Sequence, residues 1–333
     1  MRKWRVLCAF AIALLLIHFG GNRSEGKQSI VPPDSLAADK PTLVRAVAFA
    51  TSPSVAGVAP VLPDGAQDNI KAVTKEFTET SMPSPELSFD GLSNFDNLAT
   101  YGLLILPPDP IGDVGPEHYV QAVNSLVRIY NKSGQALTPS FKFGKLFAPL
   151  GTVCALRNDG SPIILYDPLA DRWLISQYCT AFPPFRQMIA ISRSGDPTGS
   201  YFLYEFVMPN MRLNDFPKIG VWPDGYYMTT DEFIGSDYAG NGLFAFDRSN
   251  MLRGEASASY IYFNIPTHFP ERLGSLLPAD LDGMDPPPNG SPNIFAGYSA
   301  TEYGDGMDAI RLFDFHADFA DPERSTFTER LES

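Results

Sequence analysis

The sequence predicts an all-β protein, a β-propeller of four-stranded blades, and three observations carry that reading. From "FDGLSNFD" at residue 89 onward, the chain is a succession of short aromatic and β-branched runs, each bounded by Gly, Pro, Asp or Asn at hairpin spacing. Long amphipathic helical periods are missing from the same region. Residues 114–124, "VGPEHYVQAVN", can be laid against residues 221–231, "VWPDGYYMTTD", with Val, Pro, an acid and Tyr in the same order. The offset of 107 is about two periods of 53 or 54, and self-similarity at that period with four strands per unit is the mark of a propeller.

The chain opens on "MRKWR" and an apolar run of about 14 residues, the proportions of a secretory signal over residues 1–23. The following "GGNRSEG" has no A-x-A cleavage site, which leaves an uncleaved anchor as the other outcome, and Cys8 stands near the start of the run, where a lipid-attachment cysteine would follow it. Residues 24–86 are rich in Pro, Ala and Ser and read as a linker or arm, with "QDNIKAVTKEF" offering a turn or two of helix. Residues 87–333 are expected to form the propeller.

Within it, "PIILY", "RWLISQYC", "QMIAISR" and "SYFLYEFVM" supply four strands, and "PKIGV", "YYMTTDEF", "GLFAFDR" and "SYIYFNI" supply four more. "LLPADL", "NIFAGYS", "AIRLFDFH" and a last strand shortened by the chain end follow. About 245 residues at 50 to 55 per blade give four to five blades, so an incomplete ring with open edges is an expected possibility. In "VWPDGYY", Pro-Asp-Gly reads as a tight turn with Gly225 tolerating positive φ, Asp224 as a turn residue, and Trp222 and Tyr226 as fillers of the wedge between blades.

A formal net charge of −13 argues against nucleic acid as a partner, because phosphate binding needs clustered Lys and Arg. Beyond the leader the cysteines are Cys154 and Cys179, expected to pair within one repeat in an oxidising compartment. The expected location is secreted, periplasmic or at the cell surface, with membrane contact only through an uncleaved N-terminal anchor.

"YDPLADRW", residues 166–173, resembles the hairpin of kelch repeats, although the double glycine of that repeat is replaced by "NDGSPIIL". Across residues 87–333 the chain is similar to secreted bacterial β-propeller proteins of no established activity, through "PPDPIGDVGPEHYVQAVN", "DPLADRW", "SRSGDPTGSYFLYEF", "DFPKIGVWPDGYYMTT" and "LLPADLDGMDPPPNGSPN". That resemblance implies fold and compartment rather than chemistry.

Glycoside hydrolysis needs carboxylates converging on a sugar, and a propeller axis can gather them. The candidates are Asp109, Asp113, Asp215, Asp280 and Asp282, each expected at or just before an innermost strand, with capping of turns as their alternative role. Asp280, Asp282 and Asp285 are also candidate ligands of a structural calcium, since closely spaced carboxylates supply hard oxygen donors. Zinc is poorly supported, because His118, His268 and His316 are scattered; P-loop, Rossmann and G-x-S-x-G motifs are absent. With no catalytic signature in the sequence, the first reading is an exported binding or scaffold module for a glycan or an extracellular protein. The alternative is a polysaccharide-acting glycoside hydrolase with its carboxylates at the channel.

Overall fold

Four antiparallel meanders follow one another along the chain in the computed structural model, whose described residues are 40–56, 85–265, 275–301 and 306–330. The signal-like segment 1–23 and the helical candidate 67–77 lie outside them. Two short strands, β1 (Thr42–Arg45) and β2 (Ala48–Thr51), and helix α1 (Asn94–Tyr101) precede the first meander. Helix α1 starts at a reciprocal Ser93/Asp96 capping box and stops at Gly102, which has φ +76°. Blade I is β3 (Ile111–Val114), β4 (His118–Val123), β5 (Leu126–Asn131) and β6 (Phe141–Lys142). Helix α2 (Phe143–Phe147) leads to blade II: β7 (Ile163–Asp167), β8 (Arg172–Cys179), β9 (Arg186–Ser192) and β10 (Tyr201–Val207). Blade III is β11 (Leu213–Val221), β12 (Gly225–Ile234), β13 (Asp237–Asp247) and β14 (Ser259–Ile265), with α3 (Arg248–Arg253) between the last two. Blade IV is β15 (Leu277–Pro278), β16 (Asn293–Ser299), β17 (Ala309–His316) and β18 (Thr326–Glu329). Its fourth strand is therefore in place, and the described residues hold four blades.

Burial explains the sequence pattern of each strand. β9 and β14 are buried almost throughout, because each lies in a sheet with neighbours on both faces; hence "QMIAIS" and "SYIYFNI" show no alternation. β17 alternates, with Phe313 and Phe315 buried and Ile310 and Leu312 largely exposed, so blade IV is covered on one face.

Three apolar cores occupy the spaces between consecutive blades. Val120 and Ile129 of blade I meet Trp173, Ile175 and Met188 of blade II; Leu174, Ile189 and Phe206 of blade II meet Tyr226, Met228 and Phe244 of blade III. Trp222, Tyr227 and Phe263 of blade III meet Phe295, Phe313 and Phe327 of blade IV. Each large side chain buried this way contributes roughly 1.5–3 kcal/mol, so these interfaces dominate the favourable side of folding. Trp222 and Tyr226 do fill the wedges between blades, one on each face of blade III. Asp224 is a turn residue, accepting from the Tyr227 hydroxyl at 3.1 Å.

Gly225 corrects the expected turn chemistry. It is not among the positive-φ glycines; it opens β12 opposite Asp247, where a Cβ would lie 3.0 Å from the Tyr227 ring and 3.3 Å from the Phe246 carbonyl. Close approach, rather than backbone sign, is what a side chain would violate there.

The linker expectation for residues 24–86 also changes over a short stretch. β1 pairs antiparallel with β14, and β2 pairs antiparallel with β10, so the arm adds a fifth strand to blade III and then to blade II. β1 is mostly exposed and β2 half-buried; besides main-chain hydrogen bonds they pack Val44 and Phe49 against the core between blades II and III, and strands of four residues leave little trace in side-chain periodicity. The cysteines pair as expected, Cys154 with Cys179, with the Cα atoms 5.7 Å apart. The bond joins the I-to-II connection to the end of β8 rather than closing a loop inside one repeat.

A buried ion pair locks blade II to blade III. Asp167, at the end of β7, accepts from Arg248 Nε at 2.7 Å, from Arg248 Nη2 at 2.9 Å and from the Tyr226 hydroxyl at 2.8 Å. Asp167→Ala is expected to leave the guanidinium buried and unpaired, at a cost of roughly 3–5 kcal/mol in urea unfolding, whereas Asp167→Leu with Arg248→Met recovers most of it. A single-substitution cost below about 1 kcal/mol would show that the pair does not hold the blades.

Candidate functional site

The innermost strands β3, β7, β11 and β15 stand side by side in that order, which gives the axis an end with their N-termini and an end with their C-termini. The five acids singled out in the sequence divide between these two mouths.

At the N-terminal mouth, Asp109 lies just ahead of β3 and Asp215 lies near the start of β11, paired across the sheet with Asp231 of β12. Register shifts between Asp215 and Lys218, and this bulge turns Lys218 into the same cluster. Burial lowers the Lys218 pKa, opposed by the charges of Asp109, Asp231 and Asp215. Burial raises Asp109, with Asp215 adding to the rise and Lys218 opposing it. Burial likewise raises Asp231, although the Ser275 hydroxyl donates to it at 2.6 Å. A second donor, Asn241 Nδ2, reaches Asp231 at 3.0 Å. Asp109 receives Asn124 Nδ2 at 3.2 Å. Tyr178, at the end of β8, faces the same charges, and burial foremost pushes its hydroxyl up to about 12.

Backbone strain collects at this mouth. Asp109 has φ +41° and Phe216 has φ +49°, a region that non-glycine residues seldom adopt and that the surrounding structure must hold in place. Phe216 is half exposed, and Lys218 Nζ stands 3.6 Å from the centre of its ring. Gly160, at φ +97°, lets Asn124 approach: a Cβ there would fall 1.7 Å from Asn124 Oδ1.

The C-terminal mouth holds Asp113, Asp280 and Asp282. Asp113 accepts from the Val114 amide at 2.7 Å and from the Tyr166 amide of blade II at 2.6 Å. Asp280 accepts from the Val221 amide of blade III at 2.7 Å. Here the turn-capping, blade-bridging role of these acids is realised. Asp280 and Asp282 lie just after β15 rather than at or before it, because that strand is only two residues long. Crowding by protein atoms pushes Asp280 up to about 6 against the Val221 hydrogen bond, with Asp282 and Asp113 adding repulsion. Among the described residues no group of three or more His, Cys, Asp or Glu is gathered to hold a metal ion.

Sequence reasoning missed Lys218, Tyr178 and Asp231, yet a signal was present. Asn124, Tyr178 and Asp231 each lie five residues after an aromatic near the start of the second strand of their blade, Tyr119, Trp173 and Tyr226. Three consecutive blades thus deliver a polar side chain to one mouth from the same repeat position.

No protein-family model matches the sequence, and comparison with curated proteins finds no match. Among solved structures, the chain is similar to the alpha-L-arabinanase of Cellvibrio cellulosa at 10% identity, with a TM-score of 0.31 over 67% of this chain and 94% of that one. A proposed exo-beta-1,3-galactanase from Bifidobacterium bifidum S17 follows at 11% identity and a TM-score of 0.25, over 70% of this chain and 94% of that one. Likeness at this level carries no argument about chemistry.

The raised carboxyls have a sign that can be tested. A folded-state pKa above the unfolded one stabilises the fold at low pH, and the contribution is lost as pH rises through the folded value. For Asp280 that window runs from 3.8 to about 6. The urea midpoint is expected to rise as pH falls from about 7.5 to 4.5. Asp280→Asn, which keeps an acceptor for the Val221 amide, should flatten part of that rise by less than about 1 kcal/mol, because the carboxyl retains solvent access. An unchanged pH profile in the variant would contradict this.

Proposed function

We propose that this β-propeller acts on a glycan at the N-terminal mouth and cleaves a glycosidic bond there. The observation that carries the reading is the convergence of Asp109, Asp215 and Asp231 around Lys218 on bulged, strained backbone. Two carboxyl groups in unlike environments are what glycoside hydrolysis requires, one to give a proton to the leaving oxygen and one to support the developing positive charge at the anomeric carbon or activate water.

Asp109 suits the acid role, since burial raises its pKa and its one side-chain donor among the described residues is Asn124. Asp215 is the partner carboxylate. The charge of Lys218 limits repulsion among the three acids, and the half-exposed ring of Phe216 offers the face turned away from Lys218 to a sugar. The Cys154–Cys179 disulfide fits an oxidising compartment, and we place the activity outside the cytoplasm.

Binding without turnover is the second reading, favoured by the C-terminal mouth, where Asp113 and Asp280 already accept main-chain hydrogen bonds from neighbouring blades. Reducing-sugar release from a panel of polysaccharides separates the two. The full chain is expected to release sugar, Asp109→Asn and Asp215→Asn to lower the rate by about 10²–10⁴-fold, and Asp113→Asn to change it little. Binding to a polysaccharide with no release from any substrate would refute hydrolysis and leave a glycan-binding module.

A further inference from the structure

A cleft of about 490 Å³ lies at the outer edge of blade I, lined by Leu126, Phe141, Lys142, Lys145, Leu156 and Asn158 among others. Its charge is unusual for this chain, in which 38 acids face 25 Lys and Arg. Eight arginines are in salt bridges with acids among the described residues, whereas Lys142 and Lys145 are in none. Lys142 Nζ is held 4.4 Å from the centre of the Tyr101 ring, and Leu156 is 67% exposed at the rim. Two cations without a carboxylate, beside an apolar wall, complement a ligand that is anionic at one point and has a hydrophobic face.

The cleft adjoins the N-terminal mouth along the chain at the β4–β5 turn. Asn124, which holds Asp109, is separated from the cleft residue Leu126 only by Ser125, whose hydroxyl donates to the Asn158 carbonyl at 2.8 Å. A polymer lying across the mouth and over this turn would place its next units in the cleft. We propose that the cleft is a subsite for a carboxylate-bearing sugar, so that the preferred glycan is an acidic, uronate-containing polysaccharide; this rests on the glycan reading of the mouth. Lys142 and Lys145 bind the carboxylate, and Leu156, exposed at the rim, packs against the C–H face of the ring.

The test is calorimetric titration of the full chain with an oligogalacturonate and with a neutral galactan oligosaccharide of equal length, in the Asp109→Asn background and with Lys142→Ala/Lys145→Ala added. The oligogalacturonate is expected to bind at least about tenfold more tightly than the neutral ligand, to weaken with salt, and to lose about tenfold in the lysine variant with its unfolding midpoint unchanged. Equal affinity for the two ligands, no binding of either, or an unaltered lysine variant overturns the subsite. Sugar release is scored separately: release with no lysine effect overturns the cleft alone, and lysine-dependent uronate binding without release from any polymer upholds the cleft while overturning hydrolysis.

Discussion

The contact between Asp167 and Arg248 is the constraint on which the middle of this protein depends. Blades II and III meet through aromatic and aliphatic faces, and such faces are non-directional: they favour contact without fixing how one sheet is placed on the next. The bidentate pair and the Tyr226 hydroxyl add direction at one end of that interface, where a displacement would strand a buried charge. The positions of Asp215, Lys218 and Asp231 on blade III relative to Asp109 on blade I are transmitted through this interface and the one before it.

The two mouths use the same residue type for opposite ends. At the C-terminal mouth, main-chain amides from neighbouring blades take up the carboxylates of Asp113 and Asp280, which makes them part of the joinery. At the N-terminal mouth Asp215 pairs with Asp231, and both Asp109 and Asp215 are coupled by charge to Lys218, on bulged and left-handed backbone that costs folding free energy.

Much of the fold was legible because its strands are short, strongly apolar and punctuated by turn residues. The eight strands of blades II and III, the pairing of Cys154 with Cys179, and the packing of Trp222 and Tyr226 all follow from local composition and from one repeat alignment. β1 and β2 were not legible, because each is only four residues long and shows no alternation of polar and apolar residues. The division of the acids was hidden as well. Asp109 and Asp113 are four residues apart in sequence and belong to opposite ends of the axis, a distinction that needs the direction of β3. Lys218 could not be assigned, since the bulge that brings it into the mouth is a matter of register.

The arm formed by β1 and β2 has a consequence for the order in which the chain assembles. Thr42 pairs with Tyr262 and Ala48 with Glu205, so strands synthesised near the start wait for partners made some 150 to 220 residues later. Pairings of such long sequence separation close slowly, after the local meanders have formed. Until then the outer edges of β10 and β14 are open templates for other chains. A nascent propeller is thus most vulnerable to aggregation after its blades are built and before its first-made strands return to seal two of them.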